Sequence, residues 1–299
     1  MAPWGQRRRR AAARVGVLVG SLVVAGTGLA VLAHRFGFGG FGEGCTARVG
    51  TRKAELSLGQ GGNAATVVAV AVRRDLPARA ATIALATAMQ ESKLRNLSYG
   101  DRDSLGLFQQ RPSQGWGTKA QVMNPVHAAN AFYDALVQIP GYQTLPIDTA
   151  AQDVQHSGHP DGYAQHESAA RALSSALTGQ SAAAFNCVVS GTQLVSATVG
   201  GPSPATRAQT ASGALTDAFG SLLTTGTPDT GGTVVVTVPA GPESDQRAWA
   251  AAEWLVAQAK TLGLSSVECG GRIWNAHHSS AGWTNDPNTF SGAVRFAVA

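Results

Sequence analysis

The chain has 299 residues, 44% of them hydrophobic and 36 of them glycine, with a formal net charge of +5 at neutral pH. Six of its 23 basic residues (Arg7, Arg8, Arg9, Arg10, Arg14 and Arg35) lie in the first 35 positions, which hold no acid, so the remainder carries 17 bases against 18 acids. A near-neutral body has no basic stripe for a polyanion, which removes nucleic acid from the expected partners.

The basic tail, residues 1–14, precedes residues 15–33, nineteen positions without a charge. As a helix this run is about 28 Å long, close to the roughly 30 Å hydrocarbon thickness of a bilayer. Positive charge on its N-terminal side predicts a cytoplasmic tail, a single-pass anchor and an extracytoplasmic body after His34. Val31-Leu32-Ala33 also satisfies the small-residue rule for signal-peptidase cleavage, which would release the body. The anchor is favoured because the run exceeds the roughly 7 to 15 residues usual in a signal peptide. One span forms no pore, so transport would need partners. Residues 34–44, rich in Gly and Phe, read as a tether.

Three cysteines in an exported chain predict one disulfide and one thiol left over. Cys45 and Cys187 bracket the segment around Glu91 while Cys269 lies far downstream, so the expected pair is Cys45–Cys187, a loop closure worth up to about 5 kcal/mol. Between them the expected elements are helical: 63–75 after the N-cap Asn63, then 77–92 with Ala81, Leu85, Ala88 and Met89 on one face. An irregular segment, 96–116, follows, and further helices are expected at 125–138, 148–155 and 163–177. Residues 188–232 read as a Ser/Thr/Gly linker, although 205–223 is able to hold one amphipathic helix. The rest, 233–299, reads as a small α/β module with strands at 233–238, 265–268 and 272–274 around a helix, 244–262.

Glu91 ends the apolar second helix, where the helix dipole and the wall of Leu85, Ala88 and Met89 disfavour its charged form and suit a general acid. An exposed glutamate paired with Lys93 or Arg95 is the plain alternative. Glu91-Ser92, Ser104-Leu105-Gly106-Leu107-Phe108-Gln109 and Pro112 together resemble the lysozyme-like lytic transglycosylase family. Its pattern is a Glu-Ser at a helix end, a serine, a Gly-Leu-Met-Gln turn and a proline at about this spacing. Residues 44–187 also resemble a membrane-anchored actinobacterial module often labelled a heavy-metal transporter. The resemblance implies a mainly α, lysozyme-like domain at 45–187, joined to the small C-terminal α/β domain and the N-terminal transmembrane helix.

The same resemblance implies Glu91 as the single acid/base. Gln109 and the backbone around Gly106 and Phe108 would hold an N-acetyl sugar, and Ser104 would orient Glu91 or the substrate. In lytic transglycosylases the glycan's own groups replace a second carboxylate and leave a 1,6-anhydro end. Hydrolytic relatives position water with aspartates, a part open to Asp101 and Asp103 beside Tyr99, unless these carboxylates cap their own loop. Two departures stand out. Phe108 replaces the Met of Gly-Leu-Met-Gln, and Gln155-His156-Ser157-Gly158 replaces the family's Tyr-Asn-Ala-Gly. Either Tyr99, Tyr133 or Tyr163 supplies the missing hydroxyl, or the domain binds glycan without cutting it.

His156, His159 and His166 with Asp153 and Asp161 match no common zinc spacing, so no metal and no cofactor is expected. Residues 249–283 resemble a terminal module of actinobacterial cell-wall proteins related to zinc carboxypeptidases. Its catalytic ligands are missing at the required spacing, which implies a non-catalytic unit. Trp249, Trp254, Trp274 and Trp283 there form either a docking surface or a packed core. The leading reading is cleavage of peptidoglycan glycan strands outside the membrane, in company with cell-wall machinery. Its competitors are a glycan-binding scaffold without activity and a metal-binding protein.

Overall fold

The computed structural model of the protein describes residues 42–157, 160–190, 201–287 and 293–299. The expected basic tail and transmembrane helix lie outside the described residues. Among those described, no helix is long and apolar enough to cross a membrane. The fold is mixed α/β with two antiparallel sheets, which corrects the expectation of a mainly α body with a small α/β appendage.

The first sheet begins where no element was expected. Strands β1 (Gly44–Val49) and β2 (Arg52–Leu56) form a hairpin around Gly50-Thr51, and β3 (Phe185–Val188) pairs antiparallel with the other edge of β1. Cys45 and Cys187 face each other across that pairing and form the expected disulfide, 142 residues apart in sequence. Helix α1 (Leu58–Arg73) starts earlier than expected because Ser57 and Gln60 form a capping box. Gly61 in its first turns makes room for the disulfide: a Cβ there would lie 2.5 Å from Cys45 Sγ.

Helix α1 is buried along most of its length and packs against α2 (Ala78–Ser92), α4 (Pro125–Leu136) and α8 (Ser244–Leu262); short α3 (Lys119–Val122) leads into α4. Tyr133 of α4 donates its hydroxyl to Val67 O of α1, 3.0 Å away, so this tyrosine is spent in the core. Helices α5 (Ile147–Gln155) and α6 (Glu167–Leu177) complete the half that contains Glu91.

The segment expected as linker contains α7 (Pro204–Phe219), capped by Ser203, and the short strand β4 (Thr224–Thr225). β4 belongs to a second, six-stranded sheet with β5 (Thr233–Thr237), β6 (Leu264–Cys269), β7 (Arg272–Asn275), β8 (Thr284–Asn285) and β9 (Ala293–Val298), ordered β4-β5-β9-β6-β7-β8. The final strand thus enters the middle of the sheet and buries Val294, Phe296 and Val298 on one face. Helix α8 covers this sheet with one side and meets α1, α6 and α7 with the other, so Glu43–Ala299 folds as one unit.

The four tryptophans form no docking surface, because the structure buries all of them. Two reach across to β3: Trp274 Nε1 donates to Asn186 Oδ1 at 2.9 Å, and Trp283 Nε1 to Phe185 O at 2.9 Å. Glu253, in the middle of α8, is wholly buried and accepts from the backbone N–H groups of Ala184 (2.9 Å) and Phe185 (3.3 Å). Burial drives its carboxyl well above the usual range, against the two backbone N–H groups, which favour the charged form. Cys269 is also enclosed, and burial pushes its thiol up to about 12, which leaves it chemically quiet.

Candidate functional site

Glu91 is the penultimate residue of α2, whose alanine-rich run from Ala80 to Ala88 is buried nearly all round. The helix stops abruptly. Lys93 and Leu94 both adopt left-handed backbone, φ +55° and +57°, while their N–H groups bond back to Met89 O and Ala88 O. Ser92 then fastens this end to the following loop, its Oγ lying 2.7 Å from Leu107 O. Glu91 is therefore presented from a rigid helix end, half-buried, at the wall of an open cleft of about 1200 Å³.

The loop from 96 to 116 forms one wall. Bridges between Leu97 and Gly106 and between Leu105 and Gln110 fold it into a tight turn. Gly106 sits at φ +77° and so close to α3 that a Cβ would lie 2.6 Å from Val122 O. Phe108 is fully buried and stacks on Phe132, centroids 4.7 Å apart. Gly106 and Phe108 thus shape the wall from behind, whereas Ser104 and Gln109 line the cleft itself. Gln109 Nε2 is turned back onto Gly106 O at 3.2 Å, which fixes the amide in place.

The two aspartates part company. Asp101 lines the cleft with an exposed carboxylate 3.9 Å from Arg102. Asp103 is outside the cleft lining and is tied to Ser113 N (2.7 Å), Ser113 Oγ (2.9 Å) and Arg111 Nε (3.0 Å). The Ser113 backbone N–H and the Arg111 guanidinium hold its carboxyl down to about 2. Asp103 is a loop brace, matching the capping alternative. Tyr99 is 71% exposed and is not among the cleft-lining residues, although its carbonyl lies 3.5 Å from Gln109 Nε2.

The opposite wall comes from the end of α5: Asp153, Val154, Gln155, His156 and Ser157, with Trp116, Gln138 and Ile139 farther along. Gln155 Nε2 donates to Phe108 O at 2.8 Å and so ties the two walls together. Arg102, Gln109 and His156 all line the cleft with positive φ, a concentration of strained backbone in one place.

Of the three candidate tyrosines, Tyr163 reaches the acid. Its hydroxyl lies 2.9 Å from Glu91 Oε1 and 2.9 Å from Ser157 Oγ, and Ser157 Oγ in turn lies 3.0 Å from Gln152 Oε1. Gln165 and His166 hold the Tyr163 loop against α2, both within 3.1 Å of Gln90 Oε1. Burial raises the Tyr163 phenol above its ordinary value, with Glu91 adding to the rise, so it stays a neutral hydroxyl. Ser157, Gln152, Gln155 and Trp116 had no place in the sequence-derived site. Gln152, Gln155 and Ser157 meet Glu91 and its loop only by packing across more than 40 residues. The one signal for them was the Gln155-His156-Ser157-Gly158 stretch standing where the resembled family has Tyr-Asn-Ala-Gly; Trp116, 25 residues from Glu91, carried no such signal.

The protein-family models contain no match to this chain, and no curated protein is significantly similar to it.

Proposed function

We propose that the cleft cleaves glycan chains, with Glu91 as the single general acid/base and the glycan strands of peptidoglycan as substrate. The observation that carries this reading is the Glu91–Tyr163 contact. A lone carboxyl at a helix end, open to a cleft on one side and bonded to a buried hydroxyl on the other, suits proton transfer to a glycosidic oxygen.

The chain of groups behind Glu91 serves both of its protonation states. With Glu91 ionised, Tyr163 donates to the carboxylate and accepts from Ser157. With Glu91 protonated, the carboxyl donates to Tyr163, Tyr163 to Ser157, and Ser157 to Gln152 Oε1. Three hydroxyl-type groups rotate and no heavy atom moves, so the acid gives up and regains its proton while the buried Tyr163 hydroxyl keeps a partner on both sides. In this reading Ser104 and Gln109 hold a sugar amide and Trp116 offers an apolar face to a sugar ring, while Asp101 is the cleft-lining aspartate left to position water. The Cys45–Cys187 disulfide supports an oxidising compartment, in keeping with an extracytoplasmic body held at the membrane by the N-terminal segment.

The test is mass spectrometry of the soluble products after the full-length protein is incubated with cell-wall sacculi. Wild type is expected to release muropeptides and Glu91→Gln to release none, with the product ends separating hydrolysis from anhydro-forming cleavage. Capture by sacculi with no release from wild type would replace this reading by the non-enzymatic binding scaffold.

A further inference from the structure

At the end of α2 remote from Glu91, a cavity of about 250 Å³ opens between the β1–β2 hairpin, the first turn of α2 and α6. Thirteen residues of helix separate Ala78 in this cavity from Glu91, about 20 Å at 1.5 Å per residue, so it is distinct from the cleft. Arg52, Arg79 and Arg171 line it together with Thr82, Ser174 and Gln180.

Among the described residues one carboxylate meets these arginines. Glu167 Oε1 takes Arg171 Nε at 2.7 Å and Nη2 at 2.6 Å, and lies 3.6 Å from Arg79 Nη1. Arg79 also donates through Nη2 to Leu145 O, while its buried Nε has no hydrogen-bond partner. Arg52 enters no ion pair among the described residues. Three guanidinium groups against one carboxylate leave a surplus of positive charge, with donors unspent on Arg52, Arg79 and Arg171. Planar guanidinium forks match the paired oxygens of carboxylates and phosphates. The volume is too small for a glycan chain but admits a charged group on a short stem.

From this geometry we infer that the cavity binds a small oxyanion, a carboxylate or a phosphate, clasped between Arg52 and Arg171 above Arg79. The inference stands apart from the glycan-cleaving reading of the cleft. Titration calorimetry of the full-length protein in detergent tests it, with inorganic phosphate as one probe and N-acetyl-dialanine, which carries a single terminal carboxylate, as the other. At least one probe is expected to bind saturably, and the stronger of the two identifies the source of the oxyanion. Arg52→Ala is expected to weaken binding tenfold or more, the usual scale for losing a charge-assisted bond. Gln180→Ala is expected to weaken it by a smaller factor, and Arg48→Ala, on the same hairpin but outside the cavity, by less than twofold. Arg52 and Gln180 are both exposed, so their variants should keep the wild-type melting temperature, and each checks the other. Absence of saturable binding with both probes would overturn the inference. So would equal affinities for Arg52→Ala and Arg48→Ala.

Discussion

Two glutamates at helix positions about 160 residues apart show how one side chain is made into two different devices. Glu91 closes α2, half-buried, with a cleft in front of it and the Tyr163 hydroxyl behind. Glu253 lies in mid-helix, has no exposed surface, and spends one oxygen on the N–H groups of Ala184 and Phe185 while the other has no partner. Enclosure and two backbone hydrogen bonds make Glu253 a fastener between α8 and the start of β3. What distinguishes Glu91 is access from solvent combined with a partner that can either donate or accept. A buried acid is therefore a poor indicator of chemistry in this protein, and an acid with a reversible hydroxyl partner at a cleft is a better one.

The contrast can be broken from either side. Removing the fastener should have the largest effect on stability. Glu253→Ala leaves two buried N–H groups without an acceptor and opens a void, and is expected to cost about 3 kcal/mol in denaturant unfolding. Glu253→Gln keeps an acceptor at the same place and should cost less than about 1 kcal/mol. Tyr163→Phe removes the hydroxyl but not the ring. It should slow muropeptide release by about 10- to 100-fold, with the melting temperature nearly unchanged. A rate equal to wild type would detach Tyr163 from the acid's work.

The smallest effect concerns the brace beside the cleft. Asp103 has its folded-state value lowered to about 2, against roughly 3.9 when unfolded. A depressed carboxyl stabilises above the unfolded value and loses that contribution as pH falls through the folded one. The 101–113 loop should therefore lose hydrogen-exchange protection, the intrinsic rate divided by the observed one, between about pH 4 and pH 2 in wild type, while Asp103→Asn should show lower protection already at neutral pH and a flatter pH response.

The same division between local and distant determinants explains what could be read from the sequence. Helix α2, the glycine turn and Glu91 at the helix end depend on residues within about 20 positions of one another, and their spacing is visible. The Cys45–Cys187 pair was also legible, because the two cysteines bracket the helical region. The first sheet was not. β1 and β2 are short, show only Cys45, Ala47 and Ala54 buried, and are completed by β3 from 140 residues on. Strand β9 was not among the expected strands, because its partners, β5 and β6, lie on either side of a long helix in sequence. Tyr163 could be offered only as one of three tyrosines. Its pairing with Glu91 spans 72 residues, and what separates it from Tyr133 is that Tyr133 already bonds Val67 O. The tryptophans left a docking surface open as a reading, and their burial closes it: the N–H groups of Trp274 and Trp283 are taken by Asn186 and Phe185, and Trp249 and Trp254 are buried as well.

The most direct measurement is a paired one on Glu91→Gln: unfolding free energy and rate of muropeptide release from the same preparation. If Glu91 is a tool and not a fastener, stability should match wild type within about 0.5 kcal/mol, while release falls by about 10² to 10⁴. Release at the wild-type rate, or a loss of stability on the scale expected for Glu253→Ala, would contradict the account.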